Sequence, residues 1–159
     1  MFVKNIKLGK IKTRLAKTIG NEGAFQVYKH LVEITENATE KLNVEKHIYF
    51  SDVIIEEKWP KTSKFTQKGV DLGQKMQNAF ENGFIDGFEK VILIGSDLPD
   101  ISPEIIEKGF KALNGNEVVF GPAEDGGYYL VGMTKKHSAI FTDKQWSTST
   151  LLAATLAGL

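Results

Sequence analysis

The stretch that decides the fold is VILIGSDLPD, Val91 to Asp100. Four apolar residues run into a glycine, a serine and two acids that bracket Leu98-Pro99. A strand this uniformly apolar belongs to the type buried on both faces, as in a sheet covered by helices. In open α/β sheets, ligands bind outside the carboxyl ends of the strands. Asp97 follows such an end. Read functionally, it points a hard carboxylate into the crevice and could hold a divalent metal. Magnesium is held by one or two carboxylates plus substrate phosphates. Read as local structure, Asp97 and Asp100 are solvated acids near the start of the next helix.

Working outward, that helix opens at Ser102-Pro103, with serine as N-cap, proline in the first turn and Glu104 near the positive end of the dipole. It is expected to run to about Leu113 and to close at Asn114-Gly115. Strands are expected over 117–120 and 128–133. Upstream, Leu72, Met76, Ala79, Phe80 and Phe84 share one face of a helix. Strands are read over 44–50 and, with a weaker pattern, 64–67. A helix over 21–42 is predicted from Ala24, Phe25, Tyr28, Leu31, Val32, Ile34 and Thr35, with Asn21 as its cap. Met1 to Lys4 reads as the tail of a strand. A last helix, capped at Ser147 or Thr148, reaches Leu156. Helices alternating with apolar strands give an α/β layered domain with a mostly parallel sheet.

Composition narrows the function. The 159 residues suit one domain, and 42% hydrophobic with 25% charged residues is ordinary for a globular protein. The 20 basic and 20 acidic residues cancel, so no bulk field draws the chain to nucleic acid or to a membrane. With no cysteine, thiol catalysis, disulfides and zinc-thiolate sites are excluded. No signal peptide or long apolar run is read, which makes a cytoplasmic protein the expectation. The charge is nevertheless uneven. Lys4, Lys7, Lys10, Lys12, Arg14 and Lys17 occur with no acid before residue 18. Acids dominate from Asp86 to Asp125.

Two further stretches carry chemistry. In LGKIKTRLA, Leu8 to Ala16, Gly9 permits close approach to the backbone. Lys10, Lys12 and Arg14 stand at every second residue, so an extended loop puts all three on one side. Three cations there could cradle a diphosphate or triphosphate, with arginine supplying a bidentate fork. A solvated basic loop is the other reading. It is not a Walker A loop, because Ile11 follows Gly9-Lys10 and Lys4 stands where the first glycine should be. In FGPAEDGGYYLVG, Phe120 to Gly132, a strand again meets acids. Asp125-Gly126-Gly127 reads either as a plain hairpin turn followed by strand, or as a ligand loop whose glycines admit phosphate or sugar and whose Asp125 joins Asp97 at one sheet edge. QKGVDLG, Gln67 to Gly73, could line that edge. Trp146-Ser147-Thr148 offers an aromatic face and hydroxyls. His30, His47 and His137 lack metal-ligand spacing, and no catalytic triad or nucleic-acid motif is visible.

Taken in order, Lys4-Asn5, Gly9-Lys10-x-Lys12-Thr13-Arg14-Leu15, Gln67-x-Gly69-x-Asp71-Leu72-Gly73-x-x-Met76, Gly95-Ser96-Asp97-x-Pro99, Gly121-Pro122-x-x-Asp125-Gly126-Gly127-Tyr128 and Trp146-Ser147-Thr148 resemble a family of glycosyltransferase-A-like proteins. It is a transferase family associated with radical-SAM and selenium genes. It is also similar to the guanylyltransferases for phospholactate and molybdenum cofactor, which share the nucleotide-diphospho-sugar transferase fold. The resemblance implies a three-layer α/β/α domain over residues 1–159, shortened at both ends relative to the family. It implies a metal-dependent transferase acting on a nucleotide-activated donor: a glycosyltransferase using a nucleotide-sugar, or a nucleotidyltransferase releasing pyrophosphate. A non-catalytic nucleotide-binding module is the alternative from another class. Gly9, Lys10, Lys12, Arg14, Gly126 and Gly127 would meet the nucleotide and its phosphates. Asp97 and Asp125 would hold Mg²⁺ or Mn²⁺, and Asp97, Asp125 and Lys12 would carry the catalysis. The expected partners are that donor and a small-molecule acceptor.

Overall fold

The computed structural model describes residues 1–5 and 13–159, the side chains of residues 13 and 14 excepted. It contains two compact units. The first comprises Met1–Thr66 and Gly95–Pro103, the second Gln67–Ile94 and Glu104–Leu159.

The first unit holds a parallel sheet in the order β1-β2-β3, formed by Phe2–Val3, His47–Phe50 and Ser63–Thr66. Phe2 and Val3 stand opposite Tyr49 and Phe50, and Tyr49 stands opposite Phe65. The two-residue period of a strand then sorts the side chains. Val3, Ile48 and Phe50 turn to one face, where they form a core with Tyr28, Val32 and Trp59. Phe2, Tyr49 and Phe65 share the other face as a ladder of rings, with centroids 5.7 and 5.0 Å apart.

Parallel neighbours need a long crossover. Between β1 and β2 it is supplied by α1, Thr13–Glu40. This helix begins earlier than the expected Asn21, but it is broken at Gly20, where φ is 78° and ψ 166°. That conformation is open essentially to glycine alone, so the segment after the break starts where the Asn21 cap was read. Between β2 and β3 no helix intervenes. Trp59 takes the covering role, buried in the core. Its indole N–H donates to Thr39 Oγ1 at 2.9 Å, and the Glu36 carboxylate accepts from both Trp59 N and Lys58 Nζ at 2.8 Å.

The second unit is layered about the strand read first. β4, Val91–Ile94, pairs with β6, Tyr128–Met133, which pairs with β5, Val118–Pro122. β6 runs antiparallel to both neighbours, while β4 and β5 run the same way. Helix α2, Leu72–Ile85, brings Gly83 against Val91, and helix α3, Pro103–Ala112, brings Gly109 against Ile92. Adjacent strand residues point to opposite faces, so one helix covers each face of β4. This is the layered α/β arrangement expected from VILI. Met76, Phe80, Ile106, Leu130, Val131, Met133, Ile140 and Phe141 are all buried. Helix α4, Leu151–Leu156, is the last element described. Among the described residues no helix is long and apolar enough to cross a membrane.

Candidate functional site

In the first unit, the carboxyl ends of β1 and β2 are tied together by Asn5. Strands that stop leave backbone donors and acceptors needing partners. Asn5 Oδ1 accepts from Asp52 N at 2.7 Å and Val53 N at 3.1 Å, and its Nδ2 donates to Val53 O at 2.7 Å. Its own N–H donates to Ser51 Oγ at 2.9 Å. Asn5 is only 5% exposed, so these bonds are made out of water. One side chain thereby shapes the turn that follows β2.

Residues Gly95–Pro103 follow β4 in sequence and belong to this same unit. Ser96 is 2% exposed, and its Oγ lies 3.0 Å from the Tyr28 hydroxyl. The Tyr28 oxygen also accepts Lys4 N–H at 3.1 Å. Asp97, the next residue, is exposed. A Cβ on Gly95 would come within 3.2 Å of Asp97 Oδ1, so the carboxylate sits close over its own loop. Burial pushes the Tyr28 hydroxyl above the ordinary tyrosine range, against its hydrogen bonds to Ser96 and Lys4, and the negative charge of Asp97 adds to the rise. Tyr28 is therefore a neutral phenol at physiological pH, and Asp97 lies near enough for its charge to be felt there. Asp100 is also exposed.

In the second unit, Asp125-Gly126-Gly127 is a turn between β5 and β6. Asp125 is exposed, and its Oδ1 accepts Gly127 N–H at 3.0 Å, closing an Asx-turn. Gly126 has φ 84°, and a Cβ there would lie 1.9 Å from Ser149 O. Gly126 O in turn accepts Leu152 N–H at 3.0 Å. The group that approaches this glycine is the chain's own backbone. Gly73 behaves likewise: a Cβ would meet Phe141 O at 2.5 Å and the Trp146 ring at 2.8 Å. Two glycines from separate motifs thus seat the 146–149 segment, whose Ser147 holds φ at 63°. Asp71 is the N-cap of α2: its side chain accepts Gln74 N–H at 2.8 Å.

Of the residues predicted from sequence, Asp97 falls in the first unit and Asp125, Gly126 and Gly127 in the second. Gly9, Lys10, Lys12 and the Arg14 side chain lie outside the described residues. Among the described residues no three His, Asp or Glu side chains gather to hold a metal ion. Sequence reasoning noted Lys4-Asn5 but missed what Asn5 does. The available signal was an amide two residues after a short apolar strand. It also read Tyr28 as core alone.

Comparison with known proteins gives the family. Residues 35–148 match the model of "Uncharacterized protein conserved in bacteria (DUF2064)". The chain belongs to this family. No curated protein matches it. A crystal structure from Desulfovibrio desulfuricans G20, described as a "putative nucleotide-diphospho-sugar transferase", is 34% identical. The match covers 98% of this chain and 71% of that one, with a TM-score of 0.90. The fold class read from the sequence, α/β of the nucleotide-diphospho-sugar transferase type, is borne out by this match.

Two predictions arise from the turn. Gly126→Ala is expected to lower the unfolding free energy by roughly 2–4 kcal/mol, because it adds strain at positive φ and overlaps Ser149. Gly115→Ala, which would meet nothing within 4 Å, should stay within about 0.5 kcal/mol of the parent. Urea unfolding of both variants checks this. Tyr128 offers the second. Its buried hydroxyl has no hydrogen-bond partner among the described residues, and burial pushes its pKa up to about 12. The unfolded chain loses this proton near pH 10, so the contribution to stability is full below pH 10 and lost as pH rises toward 12. Tyr128→Phe should remove that part of the alkaline slope, leaving the part due to Tyr28. It should also raise stability at pH 7 by about 1 kcal/mol. Unfolding measured from pH 7 to 11.5 compares the two proteins.

Proposed function

We propose that this chain is a metal-dependent transferase acting on a nucleotide-activated donor, and that the donor is a nucleotide-sugar. The observation that carries the reading is the likeness to the D. desulfuricans protein over nearly the whole chain. The carboxyl edge of the parallel sheet supports it, because an exposed carboxylate there follows a buried, hydrogen-bonded serine.

The donor chemistry fits a hard divalent cation. Asp97 offers carboxylate oxygen, and Mg²⁺ or Mn²⁺ takes its remaining positions from water and donor phosphates. A cation so held would neutralise charge that develops on the leaving diphosphate. Asp97 is the residue assigned to hold it. The sequence adds Lys10, Lys12 and Arg14 as a run of fixed positive charge for the same phosphates. Nothing in this scheme needs a covalent nucleophile, which suits a chain without cysteine. The work is positioning and electrostatics. The same three cations favour a second reading, nucleotidyl transfer from a triphosphate with release of pyrophosphate.

Asp97→Asn keeps the size of the side chain and removes its charge. Turnover of the accepted nucleotide-sugar in Mn²⁺ should fall at least about a hundredfold, with the melting temperature within a few degrees of the parent. Release of nucleoside diphosphate from a panel of nucleotide-sugars, and of pyrophosphate from nucleoside triphosphates, measures both readings at once. Undiminished turnover in the variant contradicts the assignment of Asp97.

A further inference from the structure

We propose that Tyr28 is a positioning residue: through Ser96 it fixes the backbone from which Asp97 projects. This rests on the reading of Asp97 as the metal-holding carboxylate.

The hydroxyl of Tyr28 is not needed for packing. Its ring belongs to the apolar core with Val3, Val32, Ile48, Phe50 and Trp59, where phenylalanine would bury the same carbon surface. A hydroxyl at 3% exposure is desolvated and must recover that cost through bonds. It makes two. One takes Lys4 N–H, the first backbone donor beyond β1, and the other joins Ser96 Oγ. These partners lie 24 and 68 residues away in sequence. The phenol therefore clamps three separate segments: the end of β1, helix α1 and the Gly95–Pro103 segment. Ser96 is buried and Asp97 exposed. The clamp acts one residue before the carboxylate, where it sets the backbone direction. Outer-shell hydrogen bonds of this kind orient metal-holding side chains.

The test is direct Mn²⁺ binding to the full chain, followed by electron paramagnetic resonance of the free ion, for the parent, Asp97→Asn, Tyr28→Phe, Ser96→Ala and the Tyr28→Phe/Ser96→Ala pair. Tyr28→Phe should weaken Mn²⁺ binding about tenfold while lowering the melting temperature by about 2–12 °C. Ser96→Ala should do the same. The double variant should be no worse than either single one in Mn²⁺ affinity, because both remove one shared contact. Full-strength Mn²⁺ binding in Tyr28→Phe, with Asp97→Asn defective, overturns the positioning role and leaves the metal reading standing. Additive losses in the double variant also overturn it. Full-strength binding in Asp97→Asn overturns the metal reading and the positioning role together.

Discussion

Two consecutive backbone N–H groups, those of Lys4 and Asn5, leave the sheet where β1 ends, and side-chain hydroxyls take both. Tyr28 accepts the first and Ser51 the second. Much of the first unit follows from this. An N–H left unpaired out of water costs about 1–3 kcal/mol, so the segment after a two-residue strand cannot wander. Asn5 is then held with its amide facing the turn after β2, where it meets two N–H groups and a carbonyl. Tyr28 is held with its hydroxyl facing Ser96. Loops at the carboxyl end of a parallel sheet are where α/β proteins build sites. Here they are set by polar side chains that are hydrogen-bonded and, for Asn5, Tyr28 and Ser96, buried.

The second unit uses a different device. Close approach at Gly73 and Gly126 seats the 146–149 segment by shape rather than by polar side chains. The glycines of DGG could be read in the sequence as room for a ligand, and QKGVDLG as a lining of the same edge. At these two positions the room is filled by Ser149, Phe141 and Trp146 of the same chain. A glycine records only that something comes close, and sequence does not say what.

The elements were legible where one physical signal dominated. VILI is too short for a helix and too apolar for a surface strand, and it is β4. Leu72, Met76, Ala79 and Phe80 recur at helical spacing, and they lie on α2. Ser102-Pro103 marked the start of α3. Asp-Gly marked the hairpin turn before Tyr128, which is there. Strand direction was less legible, because an apolar run reads the same both ways; β6 is antiparallel to both its partners. The start of α1 was missed because Asn21 reads as a cap, whereas Gly20 before it is a break within a longer helix. Tyr28 shows the limit most clearly. Its helical spacing gave its burial, but a partner 68 residues away leaves no local trace in the sequence.

A fold of this type hosts more than one chemistry, and the account stands on the donor. The direct measurement is thermal unfolding of the full chain against nucleotide-sugars and nucleoside triphosphates, each with and without Mn²⁺. A ligand at a hundred times its dissociation constant adds about 2.7 kcal/mol. Each kcal/mol moves the midpoint of a chain this size by roughly 2–4 °C. The account predicts a shift of that size that needs Mn²⁺ and is confined to nucleotide-sugars. A shift confined to triphosphates would contradict glycosyl transfer, and no shift with either class would contradict a nucleotide-activated donor altogether.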